Sequence, residues 1–321
     1  MTIPRRLPLA RLLFLAVLLA LLGALLAFLS WAAERPSAHY LSDLRSEIIA
    51  VPAPAATAGN LVLLRPQLYP LDYQSPAHLR LKLVAALDKA RNAGLLGEQT
   101  LVALPEHIGT WLLARDQKVE FYRARSRQEV RDWLLLGNPL LAMRALLTNL
   151  DAERLDEALL RMQAAQMASD YQQLFSDLAR DYRITLLAGS ILLPEPRIEG
   201  GRLIAGDGPL RNFSLVFGSD GNLLGEPYSE PWPWRPTRDE PQRIVLAGEA
   251  FEVERDWRPG YPQSRLLARS SGAASEPLFL RGKLSWPIGG ATRDIELTPQ
   301  EVPQASEAAG THLLNQWIAT P

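Results

Sequence analysis

Hydrophobic residues fall into three patterns along the chain, and each predicts a different element. From Leu12 to Ala33 the run is unbroken by charge, and about 20 apolar residues suffice to cross a bilayer as a helix. Shorter apolar runs follow at Asn60 to Arg65 (NLVLLR), Thr100 to Leu104 and Ile184 to Leu193 (ITLLAGSILL). Their length and lack of alternation predict strands covered on both faces. The third pattern is helical. Ser75 is an N-cap with Pro76 at the first helical position; Leu79, Leu83, Val84, Leu87 and Ala90 share one face, and Gly94 marks the stop. Strand, helix and strand over residues 60 to 104 predict a parallel βαβ unit.

Residues 107 to 183 read as mostly helical. Asp151 is placed to cap a long helix whose Leu155, Leu159, Met162, Tyr171, Leu174, Leu178 and Tyr182 form a core-facing stripe. Two strands, Asn212 to Gly218 and Leu223 to Tyr228, flank the turn Ser219-Asp220-Gly221-Asn222, a hairpin signature. The proline-rich stretch from Pro231 to Pro241 cannot form a helix or inner strand. Beyond it the pattern predicts strands at Ile244 to Val253 and Pro277 to Trp286, a short helix after Pro262, and an amphipathic helix from Ser306 to Ile318.

The N-terminal run defines the domain organisation. It is longer than the roughly 7–15-residue core of a signal peptide, and Ser30-Trp31-Ala32 is a poor cleavage site, so the reading is an uncleaved anchor over residues 1–33. Arg5, Arg6 and Arg11 precede it, which predicts a cytoplasmic N-terminus, a single pass through the inner (cell) membrane and a domain on the exported, periplasmic side. Residues 34–59, with the run Val51-Pro52-Ala53-Pro54-Ala55-Ala56, read as a tether, leaving 60–321 as the folded domain.

Composition narrows the chemistry. Net charge is −1, and Lys occurs only at positions 82, 89, 118 and 283, so no basic run marks a nucleic-acid partner. Cysteine is absent, which removes disulfides and thiolate metal sites. The four histidines, His39, His78, His107 and His312, are scattered, so no metal or cofactor is expected. Asn212-Phe213-Ser214 matches a glycosylation sequon.

Three segments carry candidate chemistry. Leu101-Val102-Ala103-Leu104-Pro105-Glu106 puts a carboxylate at the carboxyl end of an apolar strand, where ligands of α/β sheets gather; burial there favours a general base, although an N-cap or surface charge is the alternative. The second segment is Gly225-Glu226-Pro227-Tyr228-Ser229-Glu230, and the third is Val253-Glu254-Arg255-Asp256-Trp257-Arg258-Pro259.

Together with the strand and helix order over residues 60 to 260, and more loosely through Phe279-Leu280-Arg281-Gly282, these segments resemble the carbon–nitrogen hydrolase (nitrilase) superfamily. The resemblance implies an α/β fold, a four-layer α-β-β-α sandwich, and pairing of helical faces into a homodimer. It puts Glu106 at the general-base position. Glu230 stands where the family has the lysine that stabilises the oxyanion, and Glu254 where it has the nucleophilic cysteine. A carboxylate opposes oxyanion stabilisation, and the chain has no cysteine to supply.

Two functional readings follow. One is a membrane-anchored domain that is catalytically inactive and acts in binding or scaffolding; the other is a hydrolase or acyltransferase for C–N bonds with substituted residues. A substitute serine (Ser264, Ser270, Ser271 or Ser275) needs a base and an oxyanion hole, and neither is signalled. Glu106, Glu230, Glu254 and Asp256 are candidates for a cation site or paired acids, unless Arg255 neutralises them.

Overall fold

In a computed structural model, described for residues 9–35, 40–50, 57–140, 143, 152–232, 241–258, 261–282, 284 and 310–319, a mixed α/β domain follows one long apolar helix. Its helices are α1 (Leu9–Ala33), α2 (Pro76–Asn92), α3 (Val119–Arg123), α4 (Arg127–Gly137) and α5 (Ala152–Tyr182). The first seven strands are β1 (Ser46–Ala50), β2 (Thr57–Arg65), β3 (Gln67–Leu68), β4 (Thr100–Ala103), β5 (Thr185–Pro194), β6 (Arg197–Glu199) and β7 (Arg202–Ile204). The rest are β8 (Leu210–Phe217), β9 (Tyr228–Pro231), β10 (Gln242–Leu246), β11 (Glu249–Arg258), β12 (Tyr261–Ala268), β13 (Arg281–Gly282) and β14 (Thr311–Ala319).

A seven-stranded sheet in the order β1, β14, β2, β4, β5, β8, β9 forms the centre. The expected βαβ unit is present: β2 and β4 pair in parallel, joined by α2, whose Ser75 cap accepts from His78 N. Alternation along the inner strands sorts side chains between two cores. Val62, Leu64, Val102, Leu186 and Ala188 face the helices α2 and α5. Leu61, Leu63, Leu101, Ala103 and Leu187 face a second sheet, β10, β11, β12, through Ile244, Phe251, Val253 and Leu266. The inner strands are apolar throughout because both faces are covered. Helix, sheet and sheet layers are therefore present; among the described residues no helix covers the outer face of the second sheet.

Several expectations are corrected. The stretch 34–59 is not wholly a tether: β1 joins the central sheet parallel to β14, and β2 begins at Thr57. Residues 311–319 are a strand rather than a helix, lying between β1 and β2 with Thr311 through Asn315 buried. Covering both faces of such a strand erases alternation, so LLNQWI imitates a helical period. Residues after Pro262 continue β12 rather than forming a helix, and Ile244 to Val253 is folded at Ala247-Gly248 into the β10–β11 hairpin. Met162 points outward, 44% exposed, while Leu159, Tyr171, Leu174, Leu178 and Tyr182 are buried as the stripe requires. Asp151, the segment 233–240 and Trp286 lie outside the described residues.

Helix α1 is long and apolar enough to cross a membrane, with a mean hydropathy of 3.0 in its best window and none of that window buried in the domain. Its final turn touches the domain. Lys118 donates to Trp31 O and lies 4.0 Å over the indole, and Arg35 donates to Gly137 O at 2.6 Å.

Candidate functional site

The site is built where β4 runs out. Pro105 ends the strand and His107 takes a left-handed conformation, φ 60°, an uncommon geometry for a residue with a Cβ. The corner is held from β5. Ser190 Oγ accepts from His107 N at 2.8 Å, and Gly109 N donates to Ser190 O at 2.9 Å. Gly189 has φ 67° at an irregularity in the β5–β8 pairing, and a Cβ there would lie 2.2 Å from Pro105 O. Only glycine allows that approach, so Gly189 sets the direction in which Glu106 leaves the corner.

Glu106 is 3% exposed and its carboxylate points into the molecule. Arg255 Nε donates to Glu106 Oε1 at 3.0 Å, with the two side chains only 4% and 2% exposed. Asn212 Nδ2 reaches Glu106 Oε2 at 3.2 Å and Glu230 Oε1 at 2.9 Å, so it links the two acids. Tyr228 donates to Glu230 Oε2 at 3.2 Å, and the Arg255 guanidinium stacks 3.9 Å above the Tyr228 ring. On its far side Arg255 donates to Gln242 Oε1 at 2.7 Å. A single guanidinium thus serves a carboxylate, an amide and an aromatic face.

The electrostatics follow from burial. Desolvation raises the Glu230 carboxyl above the usual carboxylate range, with Glu106 adding to it and Arg255 and the Asn212 and Tyr228 hydrogen bonds opposing it. Burial pushes the Tyr228 hydroxyl up to about 12. His107, packed edge-on to Trp232 with ring centroids 5.1 Å apart, is lowered by burial to about 4 despite the Glu106 charge nearby. Its imidazole is therefore neutral at pH 7. Among the described residues, Arg255 Nη1, Gln242 Nε2 and Asn212 Oδ1 are buried without a hydrogen-bond partner.

Of the three residues marked from the sequence, Glu106 and Glu230 converge and Glu254 does not. Along β11, Phe251 and Val253 face the core and Arg255 faces the site, while Glu254 and Asp256 are exposed on the opposite side. The placement of Glu254 beside the other two acids is corrected accordingly: adjacent strand residues point to opposite faces. Asn212, Tyr228 and Gln242 were not singled out as site residues by pattern. Asn212 entered only through its sequon, yet it is fully buried, so the folded chain does not present it for glycosylation. Of the candidate serines, Ser275 accepts from Leu266 N and donates to Glu276 O, Ser270 bonds Glu249 and Ser271 accepts from Ala273 N, whereas Ser264 Oγ is buried without a hydrogen-bond partner among the described residues. Surface cavities of about 270 and 470 Å³ lie elsewhere, lined by residues such as Phe251 and Trp317, and Gln172 and Leu203, respectively.

No family model and no curated protein matches the chain. Among solved structures it is similar to a mutant of the amidase from Nesterenkonia sp. AN1 that shows covalent addition of the acetamide moiety of fluoroacetamide at the active site cysteine. The identity is 15% and the TM-score 0.32, over 61% of this chain and 55% of the amidase, so the chain spans about half of that protein's length. At that identity and TM-score the likeness says nothing of catalysis here.

Proposed function

We propose that the chain is a membrane-anchored, nitrilase-like domain that binds a small polar molecule and does not hydrolyse it. One observation carries this reading: the carboxylate at the general-base position is already engaged by a buried guanidinium, Arg255 on Glu106 at 3.0 Å. A base must be free to take a proton from the attacking group. The chain has no cysteine to attack, and the position where an oxyanion needs a cation carries Glu230. What remains is recognition chemistry. Arg255 Nη1 and Gln242 Nε2 are donors and Asn212 Oδ1 is an acceptor, all buried and unsatisfied, a state that is costly without a partner. Donors and an acceptor within one hydrogen-bonded cluster suit a carboxamide, whose oxygen accepts and whose nitrogen donates.

The test is a screen of simple amides, nitriles and esters on the full chain in detergent, alongside Glu106→Ala. The expected result is hydrolysis no faster than in the Ala variant, with acetamide-type compounds raising the thermal midpoint of the unaltered protein. Turnover well above the Glu106→Ala control would overturn the binding reading in favour of substituted chemistry. That second reading has its own support: Glu230, with its raised pKa, shares Asn212 with Glu106, which is paired to Arg255, the asymmetry between carboxyls from which acid–base pairs are made.

The same proposal places the N-terminus in the cytoplasm and the domain on the exported side of the cell membrane, supported by the apolar α1 and the preceding arginines. Protease added to intact spheroplasts should digest the domain; full protection refutes this orientation. A homodimer through helical faces is proposed on the resemblance, and sedimentation of the detergent-solubilised chain tests it.

A further inference from the structure

We infer that Leu136, Leu140 and Met143 form a second membrane contact, seated in the lipid interface beside the foot of α1. The inference rests on the anchor reading above. Among the described residues outside α1, exposed large hydrophobic side chains lie close together in sequence at Leu41, Leu44 and Ile49 and at these three, which are 42%, 75% and 55% exposed within eight residues. The surrounding sequence is equally unusual for a water-facing segment. From Trp133 to Leu150 the only charged residue is Arg144, in a chain that is 21% charged. Clustered exposed apolar surface of this kind marks a contact site.

The position identifies the occupant as lipid. Arg35, which follows directly on α1, donates to Gly137 O at 2.6 Å, and Lys118 donates to Trp31 O from the neighbouring α3 region. Leu136 is therefore one residue from the point at which the anchor leaves the bilayer, and Leu140, three residues beyond Gly137, lies within about 11 Å of it along the chain. At 25 residues and about 1.5 Å of rise each, α1 is longer than the roughly 30 Å hydrocarbon layer, so its last turn emerges among the headgroups. Trp31, with the Lys118 ammonium 4.0 Å over its ring, is the residue type that marks that level. A side chain beside Gly137 then meets the interface, where apolar side chains are stabilised relative to water.

Because the chain lacks cysteine, single substitutions report cleanly. Leu140→Cys and Met143→Cys in the full chain are labelled with a polarity-sensitive fluorophore and reconstituted into phosphatidylcholine–phosphatidylglycerol vesicles containing nitroxide-labelled lipid. Val245→Cys and Leu224→Cys, on exposed positions of the domain, serve as references, and Leu18→Cys reports on α1 itself. The expected result is quenching at positions 140 and 143 several-fold above both references. Reference-level quenching there, with Leu18 quenched, overturns this inference and leaves the anchor intact. An unquenched Leu18 position overturns both. A blue-shifted but unquenched label at 140 also overturns it, since another protein surface, such as a second copy, then covers the face. All labelled domain positions are exposed, and unchanged far-UV circular dichroism establishes that each variant is folded.

Discussion

Replacing Arg255 with Met is the sharpest test of the site geometry. The guanidinium and the Glu106 carboxylate are 4% and 2% exposed and 3.0 Å apart, so solvent screens the pair little. Removing one member of such a pair strands the other charge in a poorly hydrated interior, which costs about 3–5 kcal/mol. The contact of Arg255 with the Tyr228 ring, at 3.9 Å, is lost too, and is partly replaced by the Met side chain. In a domain of this size about 1 kcal/mol moves the midpoint by roughly 2–4 °C, so the single variant should melt about 6–20 °C lower. The double variant Arg255→Met with Glu106→Gln leaves no buried charge; Gln keeps an acceptor for Asn212, and most of the loss should return, because neutral replacements of buried pairs are often tolerated. Scanning calorimetry of the full chain in detergent, with both single variants and the double, completes a cycle whose coupling energy is the quantity of interest. A loss below about 1 kcal/mol for Arg255→Met, or a double variant no better than the worse single one, refutes a buried ion pair between these two residues.

Two pH predictions follow from burial. Because the folded-state pKa of Glu230 is raised, its contribution to stability is fully present below the ordinary glutamate value of 4.5 and is lost as pH rises through the shifted value; Glu230→Gln should therefore gain stability over the parent as pH increases across that window, and a constant difference counts against it. His107 is held from 6.5 down to about 4, and at about 1.4 kcal/mol per unit this corresponds to roughly 3 kcal/mol that the parent loses as pH falls from 6.5 toward 4. His107→Asn, a residue that tolerates positive φ, should flatten that acid limb in urea titrations, whereas an unchanged acid limb means that the imidazole is not buried neutral. Glu254→Ala, on the exposed face of β11, should shift stability by no more than about 0.5 kcal/mol and leave ligand binding unchanged; a loss comparable to that of Arg255→Met would return Glu254 to the site.

How far the fold was legible depended on sequence distance. The β2, α2, β4 unit could be read because its signals are local: the Ser75 cap, Pro76, a helical face and two apolar runs. The places of β1 and β14 could not. β14 pairs with β2 across about 250 residues, with Asn315 bonded to Asn60 at 2.6 Å, and no local pattern announces so distant a partner. A strand covered on both sides has no period of its own, so its sequence reads as a helix. The Pro-rich stretch 51–56 similarly drew β1 into a supposed tether, although Ser46 to Ala50 has the short apolar centre of a strand.

The site divides along the same line, and a single residue decides it. Glu106 was legible because a carboxylate directly after an apolar strand has few places to go. On β11 the sequence Val253-Glu254-Arg255-Asp256 offers two acids and one base, and the residue that matters follows from which face meets the central sheet. That face is fixed by Phe251 and Val253, packed with Leu61, Leu101 and Leu187, and a slip of one position exchanges the inward and outward sets. With the apolar residues inward, Arg255 is inward as well and Glu254 must face solvent. The arginine then meets a buried acid, and burying a lone acid at that depth is prohibitive. The two carboxylates that flank Arg255 in β11 therefore point away from Glu106. The residue between them, read from the sequence as a neutralising charge, is the partner around which Asn212, Tyr228, Glu230 and Gln242 are arranged.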